Sequence, residues 1–119
     1  MAKFLVIDDR VVVRNTIKKI LATYGHTVAA EAENKKNAIL QYKFHKPDIV
    51  TLDTTIARNS SIEIVQGILE YDKNGKILII TGETDKKILA RFVKLGVQDI
   101  IIKPVVEKRL LQSVIKILS

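Results

Sequence analysis

Short apolar runs, each about the length of a strand and each followed by an amphipathic segment, repeat five times along the chain. No other feature constrains the fold as tightly. The runs are 4–7, 27–30, 49–52, 77–80 and 100–102, and they mostly lack the polar alternation of a strand with one wet face. They are expected to be central strands covered on both sides. Between them, Val13, Ile17, Ile20, Leu21 and Tyr24 recur at helical spacing, and Gly25 follows where a left-handed cap falls. Ala38, Ile39 and Tyr42 mark a second helix, and Ile62, Val65, Ile68 and Leu69 a third. Ile88, Leu89, Phe92 and Val93 mark a fourth that ends at Gly96, and Leu110, Leu111, Val114, Ile115 and Leu118 the last. Strict alternation of strand and helix predicts an α/β fold: a five-stranded parallel sheet, doubly wound as (βα)5, with helices on both faces. Five units are too few for an eight-stranded barrel, so the sheet is open.

The composition agrees. Of the 119 residues, 47% are apolar but only 5% aromatic, so the core is built from Ile, Leu and Val. No repeat, linker or low-complexity tract divides the chain, which is expected to form a single domain over residues 1–119. With no cysteine, neither disulfides nor a thiolate metal site contributes. The opening MAKFLVIDDR passes from a short apolar stretch straight into acids, unlike a signal peptide or a membrane span, and a cytoplasmic protein is expected. The formal charge of +7 favours acidic partners, but the lysines are spread along the chain, as on solvated helix faces.

In open parallel sheets the site lies beyond the carboxyl ends of the strands. Here those ends carry Asp8 and Asp9 after the first run, Asp53 at the third, Thr81 after the fourth and Lys103 after the fifth. Singly, each has a plain reading: Asp8 and Asp9 as helix caps, Asp53 as a turn former, Thr81 as a cap or strand end, Lys103 as a solvated lysine. Together they place three acids, a hydroxyl and an amine on one rim. Three neighbouring carboxylates stay ionised only around a cation, and Mg²⁺ suits an oxygen-only site that takes phosphate. No Gly-rich phosphate loop, Ser/His/Asp set or metal-binding His pair is present. Asp53 is therefore the central candidate, as a carboxylate nucleophile that forms an aspartyl phosphate.

With these residues in place, the chain resembles a response-regulator receiver domain of the stand-alone kind used in chemotaxis. The resemblance runs the whole length, through VIDDR, KPDIVTLD, ILIITGE and LGVQDIIIKP in that order and spacing. It implies a flavodoxin-like sheet with strand order 2-1-3-4-5. It also implies a two-component phosphorelay function, in which Asp53 accepts a phosphoryl group from a phosphohistidine on a sensor histidine kinase or phosphotransfer protein. Asp9 and Asp53 would hold Mg²⁺ with the Thr55 main-chain carbonyl, and Asp8 would act largely through water. Lys103, aimed inward by a cis bond to Pro104, would contact the phosphoryl oxygens. Thr81 would swing toward the phosphate and report it. Such a domain is not an enzyme on external substrates and catalyses only its own phosphorylation and dephosphorylation. Its downstream protein partner would dock on the face of the fourth helix, fifth strand and fifth helix, where Lys86, Lys87, Arg91 and Lys94 favour an acidic one. Nucleic-acid binding and membrane insertion are not expected, and the chain would be a monomer or weak dimer.

Supporting positions depart from the family pattern. Ile56-Ala57 stands where Met-Pro is usual, and Ser60-Ser61 where Asp-Gly or Asn-Gly is usual. Ser accepts a positive φ less easily than Gly, so the loop path is open at this point. Ile100 replaces the switch aromatic and Val105 the Phe after Lys-Pro, so the readout of phosphorylation is expected to be unusual. The alternative is a degenerate receiver that serves as a constitutive adaptor. A dehalogenase-like phosphatase is disfavoured by Thr55, which stands where that family needs a second Asp, and by the lack of sequence for a cap domain. His26 and His45 have no paired ligand partners in the sequence and read as turn or surface residues.

Overall fold

A computed structural model describes residues 1–54 and 58–119, with the side chains of 58 and 59 outside the description. Among the described residues, five strands alternate with five helices: β1 (Lys3–Ile7), α1 (Val11–Thr23), β2 (Thr27–Ala32), α2 (Lys35–His45), β3 (Ile49–Asp53), α3 (Arg58–Tyr71), β4 (Ile77–Thr81), α4 (Lys86–Leu95), β5 (Asp99–Ile102) and α5 (Glu107–Leu118). All four strand pairings are parallel, in the order β2-β1-β3-β4-β5. The chain reverses direction across the sheet between β1 and β3. That is the switch point at which a ligand crevice opens.

The strands read as apolar runs because the sheet is buried on both faces. In β3 and β4 every residue is buried, Asp53 and Thr81 included. Alternate side chains feed two separate cores. Leu5, Ile7, Val50, Leu52, Ile77 and Ile79 pack with Val65, Ile68 and Phe92 from α3 and α4. Phe4, Val6, Ile49, Leu78, Ile80 and Ile101 pack with Ile17 and Leu21 of α1 and Leu110 and Val114 of α5. Burying a branched aliphatic side chain contributes about 1.5–3 kcal/mol, so these two layers hold the strand ends in fixed register.

Gly25 and Gly96 adopt φ of +83° and +108°, the left-handed geometry expected just past α1 and α4. The structure also settles the path of Ser60 and Ser61. Both lie inside α3, and among the described residues Lys46 is the only non-glycine with positive φ, so neither serine has to adopt a glycine-like backbone. Ser61 is fully buried and falls on the stripe formed with Ile64, Val65 and Ile68.

At the sheet edge, Asp99 ties β5 to α5. Its carboxylate accepts hydrogen bonds from the Ser113 hydroxyl and, at 3.3 Å, from the Arg109 guanidinium. Burial pushes the Asp99 carboxyl up, but these donors and the Ile100 amide outweigh it and hold the group below its ordinary value.

Candidate phosphoacceptor site

Register brings the predicted residues to one rim. Ile7 pairs with Leu52, Asp53 with Ile80, and Thr81 with Ile102, so the polar residues at these strand ends emerge side by side. The backbone ladder runs one residue past three strands. Asp8 N–H donates to the Ala32 carbonyl (3.0 Å), Thr54 N–H to Ile80 (3.0 Å), and Lys103 N–H to Thr81 (2.8 Å). These bonds fix where each side chain leaves the sheet.

Asp53 is 1% exposed and Asp8 not at all, so two carboxylates are buried at the floor of the site. Lys103 Nζ donates to Asp53 Oδ1 at 2.8 Å. The Lys103–Pro104 bond is cis, as the sequence resemblance implied. Thr81 is fully buried, and its Oγ1 accepts from the Glu83 amide (2.9 Å) and from the Thr54 hydroxyl (2.5 Å). Thr81 thus closes β4 rather than capping α4, whose N-cap is Asp85. Nor does either acid of the Asp8-Asp9 pair cap α1. The N-cap there is Arg10, with no side-chain capping bond.

Two participants escape sequence reasoning. Arg10 spans the buried acids: its Nε lies 3.5 Å from Asp8 Oδ1 and its Nη2 3.3 Å from Asp53 Oδ2, while its amide donates to Asp8 Oδ1 at 2.9 Å. Thr54 holds the Thr81 hydroxyl. The one available signal was adjacency, since each directly follows a predicted site residue. Of the other predicted residues, Asp9 sits exposed at the lip of the site and Thr55 falls outside the described residues. Ile100 is half-buried against the α3 and α4 core, and Val105 packs on the α1 and α5 core.

Electrostatically the floor is a paired-acid site. Burial pushes the Asp8 carboxyl up, the Arg10 amide draws it down, and the Asp53 carboxylate beside it pushes it up again, for a net rise. Among the described residues no three acids or histidines cluster closely enough to hold an ion by themselves. Two facing carboxylates in an all-oxygen site nevertheless fit Mg²⁺, which commonly takes one or two carboxylates and completes its shell with water and phosphate oxygens. Arg10 and Lys103 leave open a groove of about 250 Å³ along α1, lined also by Val12, Thr16, Pro104 and Val105.

The response regulator receiver domain family matches residues 4–115, nearly the whole chain. The chain belongs to that family. The receiver is 32% identical over 115 residues to the chemotaxis protein CheY of Thermotoga maritima, covering 97% of this chain and 96% of that one. It is also 32% identical over 117 residues to the CheY of Bacillus subtilis, covering 98% of each. Among solved structures, a CheX–CheY–BeF3–Mg complex from Borrelia burgdorferi contains a chain that superposes with a TM-score of 0.93 at 27% identity, covering 98% of the receiver and 89% of that chain. A two-component response regulator of the LuxR family from Aurantimonas superposes with a TM-score of 0.92, also at 27% identity, covering 99% and 85%. The fold, the strand order and the receiver assignment expected from the sequence are thereby established. No helix among the described residues is long and apolar enough to cross a membrane.

Proposed function

We propose that this receiver is a response regulator that takes a phosphoryl group on Asp53 from the phosphohistidine of a sensor kinase or phosphotransfer protein, in a chemotaxis-type pathway, and changes its binding to a downstream protein. The observation that carries this reading is the buried Asp53 carboxylate at the switch point of the sheet, with Lys103 Nζ held on it at 2.8 Å. In the transfer, an Asp53 oxygen attacks phosphorus, the P–N bond to the donor imidazole breaks, and the imidazole leaves with the electron pair and takes up a proton. An acyl phosphate forms, and its hydrolysis regenerates the carboxylate. Lys103 then turns from the carboxylate to a phosphoryl oxygen, supplying positive charge where negative charge gathers. Mg²⁺, when held by Asp9, Asp53 and the Thr55 carbonyl with Asp8 acting largely through water, would neutralise charge on the transferring group. Thr81 would exchange its contact with Thr54 for one with the phosphoryl group.

The groove beside Arg10 and Lys103 gives a phosphodonor room to approach along α1. On the opposite side, Lys86, Lys87, Arg91 and Lys94 are exposed on α4 and would favour an acidic partner across α4, β5 and α5. The Borrelia relative was crystallised with CheX, a protein partner of its own. We assign the receiver to the cytoplasm, as a monomer or weak dimer that turns over no external substrate. Incubation with acetyl phosphate and Mg²⁺ followed by intact-mass measurement tests the reading. One hydroxylamine-sensitive phosphate, absent from Asp53→Asn, is expected. No addition at any Mg²⁺ concentration would overturn it in favour of a constitutive adaptor.

A further inference from the structure

We infer that Arg10 is a built-in counter-ion of the phosphorylation site, and that it sets the site's affinity for divalent metal by competing for the same two carboxylates. This inference rests on the reading of Asp53 as phosphoacceptor beside a Mg²⁺ site. Among the described residues, two buried carboxylates, Asp8 and Asp53, meet two cations, Arg10 and Lys103. Without metal, these four groups are already close to charge balance among themselves. A divalent cation arriving between Asp8 and Asp53 meets the Arg10 guanidinium, which touches both, and like charges at that range repel.

Of the two side chains, Arg10 is the one able to leave. Its side chain is 47% exposed against 23% for Lys103, and its contacts of 3.3 and 3.5 Å are loose beside the 2.8 Å lysine contact. Its backbone stands at the N-cap of α1 with no side-chain capping bond, so the guanidinium can swing into solvent without unwinding the helix. Departure of Arg10 removes one positive charge from the floor. Recruitment of Asp9 from the exposed lip adds one negative charge, and the two changes together offset the incoming dication. Arg14 takes no part in the exchange. It is engaged elsewhere, donating to the Asp8 main-chain carbonyl (2.7 Å) and to Glu31 (3.1 Å).

Mg²⁺ titration of the unphosphorylated protein by calorimetry, for wild type, Arg10→Ala and Arg10→Lys, tests this. Arg10→Ala is expected to bind Mg²⁺ a few-fold more tightly, up to about fivefold, the effect of removing one half-exposed competing charge contact. Arg10→Lys, which keeps the charge and loses the two-pronged fork, falls between. Thermal melting gives a second readout. Arg10→Ala melts lower than wild type in EDTA and level with it in saturating Mg²⁺, whereas a purely structural role would lower melting equally in both. Unchanged or weaker Mg²⁺ binding by Arg10→Ala, or an equal drop in both buffers, overturns the inference; if phosphorylation of Asp53 persists, the phosphoacceptor reading survives. Absence of Mg²⁺ binding in all three proteins overturns both.

Discussion

Replacing Asp8 by Asn should make the metal-free protein more stable while disabling the site. The Asp8 side chain is completely buried and its carboxyl is raised, first by that burial and further by Asp53. Two like charges at contact range repel by about 4 kcal/mol at an effective dielectric near 20. Arg10 and Lys103 offset most of this, yet the Arg10 contact to Asp8 is 3.5 Å long and 47% exposed, the kind of pair worth under about 1 kcal/mol. Asn keeps an Oδ1 to accept the Arg10 amide, now 2.9 Å away, and nearly the same volume. The net gain at pH 7 in EDTA is therefore about 1–2 kcal/mol, or roughly 4–8 °C in melting temperature for a domain of this size. The pH dependence has a definite sign. A raised folded pKa means that ionising Asp8 costs stability, so the variant's advantage is complete above that pKa. It disappears below the unfolded value near 3.8, where wild-type Asp8 is protonated in both states. Paired melts of wild type and Asp8→Asn from pH 3 to 8 in EDTA would show the advantage opening as pH rises. A variant less stable than wild type at pH 7, or a difference that does not change with pH, would refute the reasoning.

Thr54→Val removes the hydroxyl that holds Thr81 while leaving the Glu83 amide bond in place. With one hydrogen bond of about 1 kcal/mol gone, the population with Thr81 free to meet a phosphoryl group should rise about fivefold, read as tighter beryllofluoride binding. Asp99→Asn should destabilise the fold by about 1–2 kcal/mol at pH 7, because the Ser113 and Arg109 donors lose their anion. Since the Asp99 carboxyl is lowered, that difference is fully present above pH 3.8 and should fade as acid carries the protein down through the folded pKa, as urea melts at graded pH would show.

Strand positions were legible because burial on both faces writes itself into consecutive residues. Each apolar run is a strand, and the polar residues that extend the strands, Lys3, Asp53, Thr81 and Asp99 among them, join because the backbone ladder continues where the side-chain pattern stops. Asp53, Thr81 and Lys103 were legible for a related reason: strand ends converge whatever the details of packing. Arg10 was not. Its role depends on a flexible side chain reaching across to a residue on another strand, and no local pattern encodes that reach. Ser60 and Ser61 were misleading in the opposite sense, since their types suggested a loop. The inward stripe of Ile64, Val65 and Ile68 extends the helix back through them.

Among the described residues, the cations on Asp53 come from 43 residues upstream and 50 residues downstream. Residues from the first, middle and last parts of the chain must all be in place before the carboxylate has its charge partners. A chain still being synthesised has no Lys103 to offer while β3 is forming, and a partly unfolded chain separates the partners again. The charge environment of Asp53 is therefore assembled only as the fold is completed.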